Sequence, residues 1–192
     1  MESFKIGKIN KGNRYTVFSL WDTYRNVGQL MTLLYPDKQL DMVRSMIGMY
    51  KEWGWMPKWE LYSRETWTME GDPAIPFIAD TWLKCLRDFD IDAAYEAFYK
   101  SATLPGKDNK MRPDVDNYYK RGYVPMGEYA ADMSGDNSVS HALEYYIADA
   151  SLANLAEALG KKQDAKRFRQ QRLGYRHYYS KESGTLRPIN QD

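Results

Sequence analysis

A chain of 192 residues, 43% of them hydrophobic, is long enough for one well-filled core and too apolar for wholesale disorder. Its 27 Lys and Arg against 26 Asp and Glu leave a net charge of +1, which gives no overall footprint for nucleic acid and no polybasic membrane patch. A single cysteine, Cys85, excludes an internal disulfide framework and a thiolate zinc cluster, and with only His141 and His177 an all-histidine metal site is excluded too.

Residues 1–14 are polar and read as a flexible leader. Their start, Met1-Glu2-Ser3-Phe4-Lys5, lacks the apolar stretch of a secretory signal, and no apolar run in the chain approaches the roughly 18 residues of a membrane span. From Phe18 the pattern turns helical: Phe18, Trp21, Tyr24, Val27/Gly28, Met31 and Leu34 recur at spacings of three and four. Tyr35-Pro36 ends this first helix, because the residue before proline avoids helical backbone. Asp37 then caps a second helix, striped by Leu40, Val43, Met46/Ile47 and Tyr50 and stopped by Gly54. Asp72-Pro73 opens a third, reaching about Phe89, with Ile75, Ile78/Ala79, Trp82 and Leu86 inward.

Asp90 caps a short fourth helix, Ile91 to about Ala102, carrying Ala94, Tyr95, Phe98 and Tyr99. Asn137-Ser138 opens a fifth, with a buried face predicted at Val139, Leu143, Tyr146/Ile147, Ala150, Ala153 and Ala156, and Gly160 stops it. The sixth runs from Gln163 to about Tyr179, with Ala165, Phe168, Gln171/Arg172 and Tyr175 inward. No segment alternates at period two. The class is all-α.

Short links join helices one to two, three to four and five to six, so each pair forms an antiparallel hairpin. The other two connections, roughly 17 and 34 residues, are far longer than helical connections usually are, and such loops tend to carry function. Parity places both at one end of the bundle, with the start of the first helix. That end gathers Trp21 and Asp22, then Trp53, Trp55, Trp59, Glu60, Glu65 and Trp67, then Tyr118, Tyr119, Tyr123, Glu128, Tyr129 and Asp132. A rim of aromatic rings and carboxylates suits sugar binding; the plainer reading is that the rings pack long loops onto the helices.

Other candidates carry plain readings as well. Asp22 is either a substrate clamp or a favourable charge at a helix start, and Arg25, three residues on, is placed to pair with it. Paired carboxylates among Glu60, Glu65, Glu70 and Asp72 could do acid–base work, but a charged loop is more often solvated. His141 and Glu144 share a helix face, yet two ligands do not make a metal site. Cys85, in register with Trp82 and Leu86, reads as an inert buried thiol. Phosphate-loop and nucleophile-elbow motifs are absent.

Several blocks together resemble glycoside hydrolase family 92, the exo-acting α-mannosidases. They are Phe18-Ser19-Leu20-Trp21-Asp22-Thr23-Tyr24-Arg25; Met56-Pro57-Lys58-Trp59; Glu65-Thr66 with Met69, Gly71, Pro73-Ala74 and Ile78-Ala79-Asp80; Leu143-Glu144-Tyr145 with Asp149; and Gly184-Thr185-Leu186-Arg187-Pro188. The likeness spans roughly residues 15–190. It implies a calcium-dependent enzyme that releases terminal mannose with inversion, often from α-1,2 links, on an (α/α)6 barrel behind a β-sandwich. Residues 15–192 would then be a partial catalytic domain, about half of that barrel.

Carried over by position, Asp22 contacts the terminal mannose, Trp21 and Arg25 support it, and Trp59, Glu65 and Thr66 lie near the site. The segments holding the family's general acid and base have no counterpart here, so no catalytic and no metal-ligating residue is assigned, and calcium would be held elsewhere. The expected partners are a mannose-containing glycan and either a second copy or the complementary half of the barrel, with no nucleic acid and no membrane. The intact family is expected in the periplasm or outside the cell. The resemblance departs at Cys85, where the family usually has Gly, and at Ala148, where an acid is common. The alternatives are a non-enzymatic helical-repeat binding module, disfavoured because the hairpins start unevenly near 18, 72 and 138, and an inactive truncated paralogue.

Overall fold

The computed structural model describes residues 8–9, 12–106, 108–127 and 137–191. Glu128, Tyr129 and Asp132, assigned above to the rim, lie outside the described residues, as does most of the leader. Asn13 and Arg14 of that leader are docked on the second long helix: Asn13 gives two hydrogen bonds to Asp41, and Arg14 forms a bidentate pair with Glu52.

The first predicted helix is two helices, α1 (Leu20–Thr23) and α2 (Val27–Leu34), separated by a turn at Tyr24–Asn26. α3 is Pro36–Trp53. It starts at Pro36, whose fixed φ suits a first helical position, so Asp37 lies inside the first turn rather than capping it. A two-stranded hairpin follows, β1 (Glu60–Leu61) with β2 (Arg64–Glu65), and then α4 (Ala74–Leu83) and α5 (Ile91–Thr103). Asp90 caps α5 as predicted, accepting the Ala93 N–H at 3.1 Å.

α4 ends six residues before the predicted Phe89. Leu86 N–H bonds Thr81 C=O and Cys85 N–H bonds Trp82 C=O, a Schellman stop with Cys85 at φ 70. Such a left-handed position favours glycine over a residue with a Cβ. It also turns the Cys85 side chain outward, so the thiol is exposed and not buried as expected.

Within the second long connection lies an unpredicted helix, α6 (Val115–Arg121). α7 (Ser138–Ala158) is followed by α8 (Lys162–Gln171), which tightens into a 3₁₀ helix (Arg172–Tyr178) and a last hairpin, β3 (Tyr179–Ser180) with β4 (Thr185–Leu186). The tightening changes the inward positions to Gly174 and Tyr178, and the predicted Tyr175 is exposed.

The helices form two layers. α2, α4 and α7 pack side by side; α3 lies against α2, α4 and α5, α8 lies against α7, and α5 meets α8 through Tyr95–Asp164 and Tyr99–Phe168. Gly28 permits the close approach of α2 to α4, since a Cβ there would meet the Phe77 ring at 2.9 Å. α7, between α4 and α8, is buried on two faces. Ile147 of the predicted stripe is exposed, whereas His141, Tyr145 and Asp149 are buried, because a helix covered on both sides has no single apolar stripe. One side of α2 is bare: Val27, Leu30, Leu33 and Leu34 are exposed, the first three along a shallow trough. No helix among the described residues is long and apolar enough to cross a membrane.

Candidate functional site

Both long connections meet at one end of the bundle, as parity requires, and a buried polar cluster ties them together. Arg112, from the second connection, reaches Asp149 of α7 at 2.8 Å and Asp72 of the first connection at 3.5 Å, all three being almost fully buried. Ser101 of α5 also donates to Asp72, and Tyr118 of α6 donates to Asp149. Lys58, 1% exposed, reaches the Met111 carbonyl at 3.5 Å. Asp72, read above as a helix cap, is thus one anchor of an ion-pair cluster.

Burial opposes the charge on Arg112, but Asp149 and Asp72 outweigh it, so the guanidinium stays protonated. Burial lowers the Lys58 ammonium's pKa, offset by Asp72, Glu65 and Asp114. His141 is held neutral by burial first and by the Lys58 and Arg112 charges second. Among the described residues no three His, Cys, Asp or Glu side chains lie together as a metal site requires.

On this base stands the rim. The segment Val17–Ser19 runs against Lys58–Glu60: Leu20 N–H bonds the Lys58 carbonyl, and Phe18 N–H bonds the buried Glu60 carboxylate at 3.1 Å. Val17 and Ser19 have φ 58 and 45, left-handed values costly for residues with a Cβ, a β-branched one above all. Such a backbone persists because Glu60 and the β1–β2 hairpin hold it. Its product is a directed Ser19 hydroxyl, which donates to Asp22 Oδ2 at 2.5 Å and accepts from Trp59 Nε1 at 2.7 Å. Asp22 is exposed at the end of this relay.

Glu65 has a different task from the other rim acids. Its two oxygens accept the backbone N–H groups of Lys58, Trp59 and Trp67 at 2.7–3.0 Å, so it folds the loop on itself. Thr66 caps the same turn through its hydroxyl on the Trp59 carbonyl.

Arg25 does not pair with Asp22. Its guanidinium lies 4.5 Å from the Trp21 ring centroid and 4.8 Å from that of Tyr24, and its Nη2 is 2.5 Å from Glu144 Oε1. Tyr24 donates to the other Glu144 oxygen at 2.7 Å. Gly71, at φ +76, makes room for this: a Cβ there would run into Glu144. Beside it Ser140 donates to Glu70, whose carboxyl is raised in pKa by burial.

Trp21, Asp22, Arg25 and Trp59 therefore come together, joined by Glu60, which the parity reading also placed at this end, and by Glu144 and Ser19, which sequence reasoning did not assign to the rim. Trp21 Nε1 is covered and has no acceptor. The predicted rim tyrosines lie elsewhere: Tyr118 is buried on Asp149, and Tyr119 and Tyr123 face α8 and the 3₁₀ helix. Trp55 is covered by Lys100.

A two-layered all-α shell with its polar chemistry on loops at one rim is the architecture of a helical-barrel glycosidase domain, seen in part. Residues 2–192 match the glycosyl hydrolase family 92 catalytic domain, and the chain belongs to that family. Its structure is similar to the family GH92 inverting mannosidase BT2199 of Bacteroides thetaiotaomicron, with TM-score 0.84 and 32% identity over 96% of this chain and 24% of that one. A family GH92 α-mannosidase, BT3965 of the same organism in complex with mannoimidazole, superimposes with TM-score 0.85 and 32% identity, covering 97% of this chain and 23% of that one. An uncharacterised secreted glycosidase of Arthroderma benhamiae is 30% identical over 129 residues, 65% of this chain and 17% of its own length. The chain thus spans about a quarter or less of the relatives it matches.

Proposed function

We propose that these residues form part of the sugar-gripping face of a glycosidase that removes terminal α-mannose with inversion, and that they supply none of its working acid–base pair. The observation that carries the reading is the Trp59–Ser19–Asp22 relay, in which a strained backbone is spent on aiming one exposed carboxylate. A carboxylate whose one oxygen is already fixed by Ser19 is pre-oriented to accept a sugar hydroxyl. Trp21 and Arg25 make the adjoining shelf, and a small shift of Arg25 would let the covered Trp21 N–H donate to a ligand oxygen.

Inverting hydrolysis needs a protonated acid and a base holding water, with carboxyl groups about 6.5–9.5 Å apart. The other rim acids are already employed: Glu65 by three backbone N–H groups, Glu144 by Tyr24 and Arg25, Glu60 by Phe18. Among the described residues calcium finds no fitting set of ligands, because the clustered carboxylates are Arg112's partners; in this reading the metal belongs to other parts of the enzyme, and no step is assigned to it. The bare Val27–Leu33 side of α2 is the seam for further helical hairpins of the barrel, whether from a longer chain or a partner.

Titration of the 192-residue protein with methyl α-mannoside, followed by saturation-transfer NMR, tests the reading. Weak binding that disappears in Asp22→Ala, with no mannose release even with calcium present, is the expected result. Equal binding by Asp22→Ala would overturn the clamp. Calcium-dependent turnover would mean the catalytic pair is here after all, and Glu70, with its raised pKa, is then the residue to substitute before Glu65.

A further inference from the structure

The net charge of +1 conceals a strong local imbalance. Residues 161–187 hold nine Lys and Arg against two Asp and Glu, leaving 18 against 24 in the rest of the chain. This basic stretch is α8, the 3₁₀ helix and the last hairpin, which lie on the outer layer and are not in contact with the Asp22 relay by any bond described above. Where α8 and the 3₁₀ helix face α6, they enclose a cleft of about 650 Å³. Its charged lining is Lys166 and Arg167, with His177 beside them, and among the described residues no carboxylate borders it.

Two polar side chains in that cleft are covered without a well-formed hydrogen bond. The Tyr119 hydroxyl and the Gln171 carbonyl oxygen are both covered from solvent, and neither has a hydrogen bond of good geometry. Unsatisfied buried polar atoms are uncommon, and each costs stability unless a ligand or water completes it. The Arg167 guanidinium lies over the Tyr119 ring, 4.8 Å from its centroid, a cation–π contact that holds it at the cleft edge.

We propose that this cleft is an anion site that takes a phosphate or sulfate monoester on a small polyhydroxylated ligand. Lys166 and Arg167 neutralise the oxyanion; a small shift of the side chains that now cover them lets the Tyr119 hydroxyl donate to it and the Gln171 carbonyl accept from a neighbouring ligand hydroxyl. A monoester fits better than an extended polyanion because the unsatisfied donor and acceptor lie inside the cleft, while the flanking Arg169, Arg172 and Arg176 are exposed and outside its lining. The site does not depend on the mannoside reading, since it shares no residue with Asp22, Trp21 or Trp59.

Calorimetric titration of the whole chain with inorganic phosphate, inorganic sulfate, glucose 6-phosphate and glucose tests it. Glucose 6-phosphate is expected to bind more tightly than either free ion, and glucose alone not at all; phosphate against sulfate identifies the preferred ester. Lys166→Ala with Arg167→Ala, both exposed positions, is expected to weaken binding at least about tenfold, and Tyr119→Phe several-fold, with thermal unfolding little changed. Failure of glucose 6-phosphate to bind tighter than roughly 10 mM, or equal binding by the double variant, overturns the proposal. So does tight binding of heparin accompanied by none of the small anions, which would mark a diffuse basic surface instead.

Discussion

Arg112 and Arg25 each meet carboxylates beside tyrosine rings, yet the first side chain is fully buried and the second is 40% exposed. Arg112 is fixed between the two long connections and α7, where no solvent competes for its partners. Arg25 spans from a helix turn to Glu144 at the surface, where the same contacts are screened and adjustable. Burial separates the two roles. The inner arginine makes the rim possible, and the outer one belongs to it.

The largest effect should follow from breaking the inner set. Arg112→Met leaves Asp72 and Asp149 buried without their cation, a loss of about 3–5 kcal/mol on the scale of broken buried pairs. Urea unfolding should register most of that loss, or the variant should be insoluble. A loss under about 1 kcal/mol would mean the cluster is solvated and the contrast with Arg25 false.

Acid should also attack the inner region first. His141 is held neutral in the fold with a pKa well below the ordinary 6.5, so the unfolded chain takes up its proton first as pH falls. Stability from this group is present above about pH 6.5 and declines below it, by up to about 1.4 kcal/mol per pH unit for one proton. Asp114 and Glu70, raised in pKa by burial, act in the opposite sense: the fold binds their protons more tightly, so they favour the fold as pH falls toward about 4. Melting temperatures from pH 8 to 4 should therefore fall below about 6.5 in the parent and less steeply in His141→Phe. An unchanged slope in that variant would locate the acid sensitivity elsewhere.

At the rim the cost should be smaller. Glu144→Ala removes the acceptors of Tyr24 and Arg25, and about 1–2 kcal/mol of destabilisation is expected, with altered Trp21 fluorescence as Arg25 leaves the ring. Asp22→Ala, which removes an exposed carboxylate held by Ser19, should stay within about 0.5 kcal/mol of the parent by the same unfolding assay. The smallest change runs the other way. Cys85→Gly relieves a left-handed backbone at the α4 stop and should stabilise by about 0.5–1 kcal/mol; Gly160, at φ +74 in the equivalent stop after α7, is the internal control.

Much of the helical frame was legible because its signals are local. Asp90 as a cap, Gly54 and Gly160 as stops, and the inward Ile75, Ile78, Ala94, Phe98, Ala165 and Phe168 all follow from spacing within a few residues. The Asp22 motif and its neighbour Trp59 were legible through family likeness. What was not legible is pairwise and distant. Nothing near Glu144 signals Tyr24, 120 residues away, and nothing near Arg112 signals Asp149. The α7 stripe failed for a related reason: a helix covered from two sides hides its period. The break after Thr23 went unseen because Phe18-to-Leu34 spacing fits one helix as well as two.

The bond between Arg25 and Glu144 also has a consequence in time. On a ribosome, residues 19–25 emerge more than a hundred positions before the side chain that fixes them, and α7 must have been made before the rim can close. The earlier hairpin can collapse on local contacts while its future binding edge waits. Variants that slow the docking of α7 should therefore leave a nascent chain that is helical and compact but without a closed rim, and whose last step in refolding is the docking of Arg25 on Glu144.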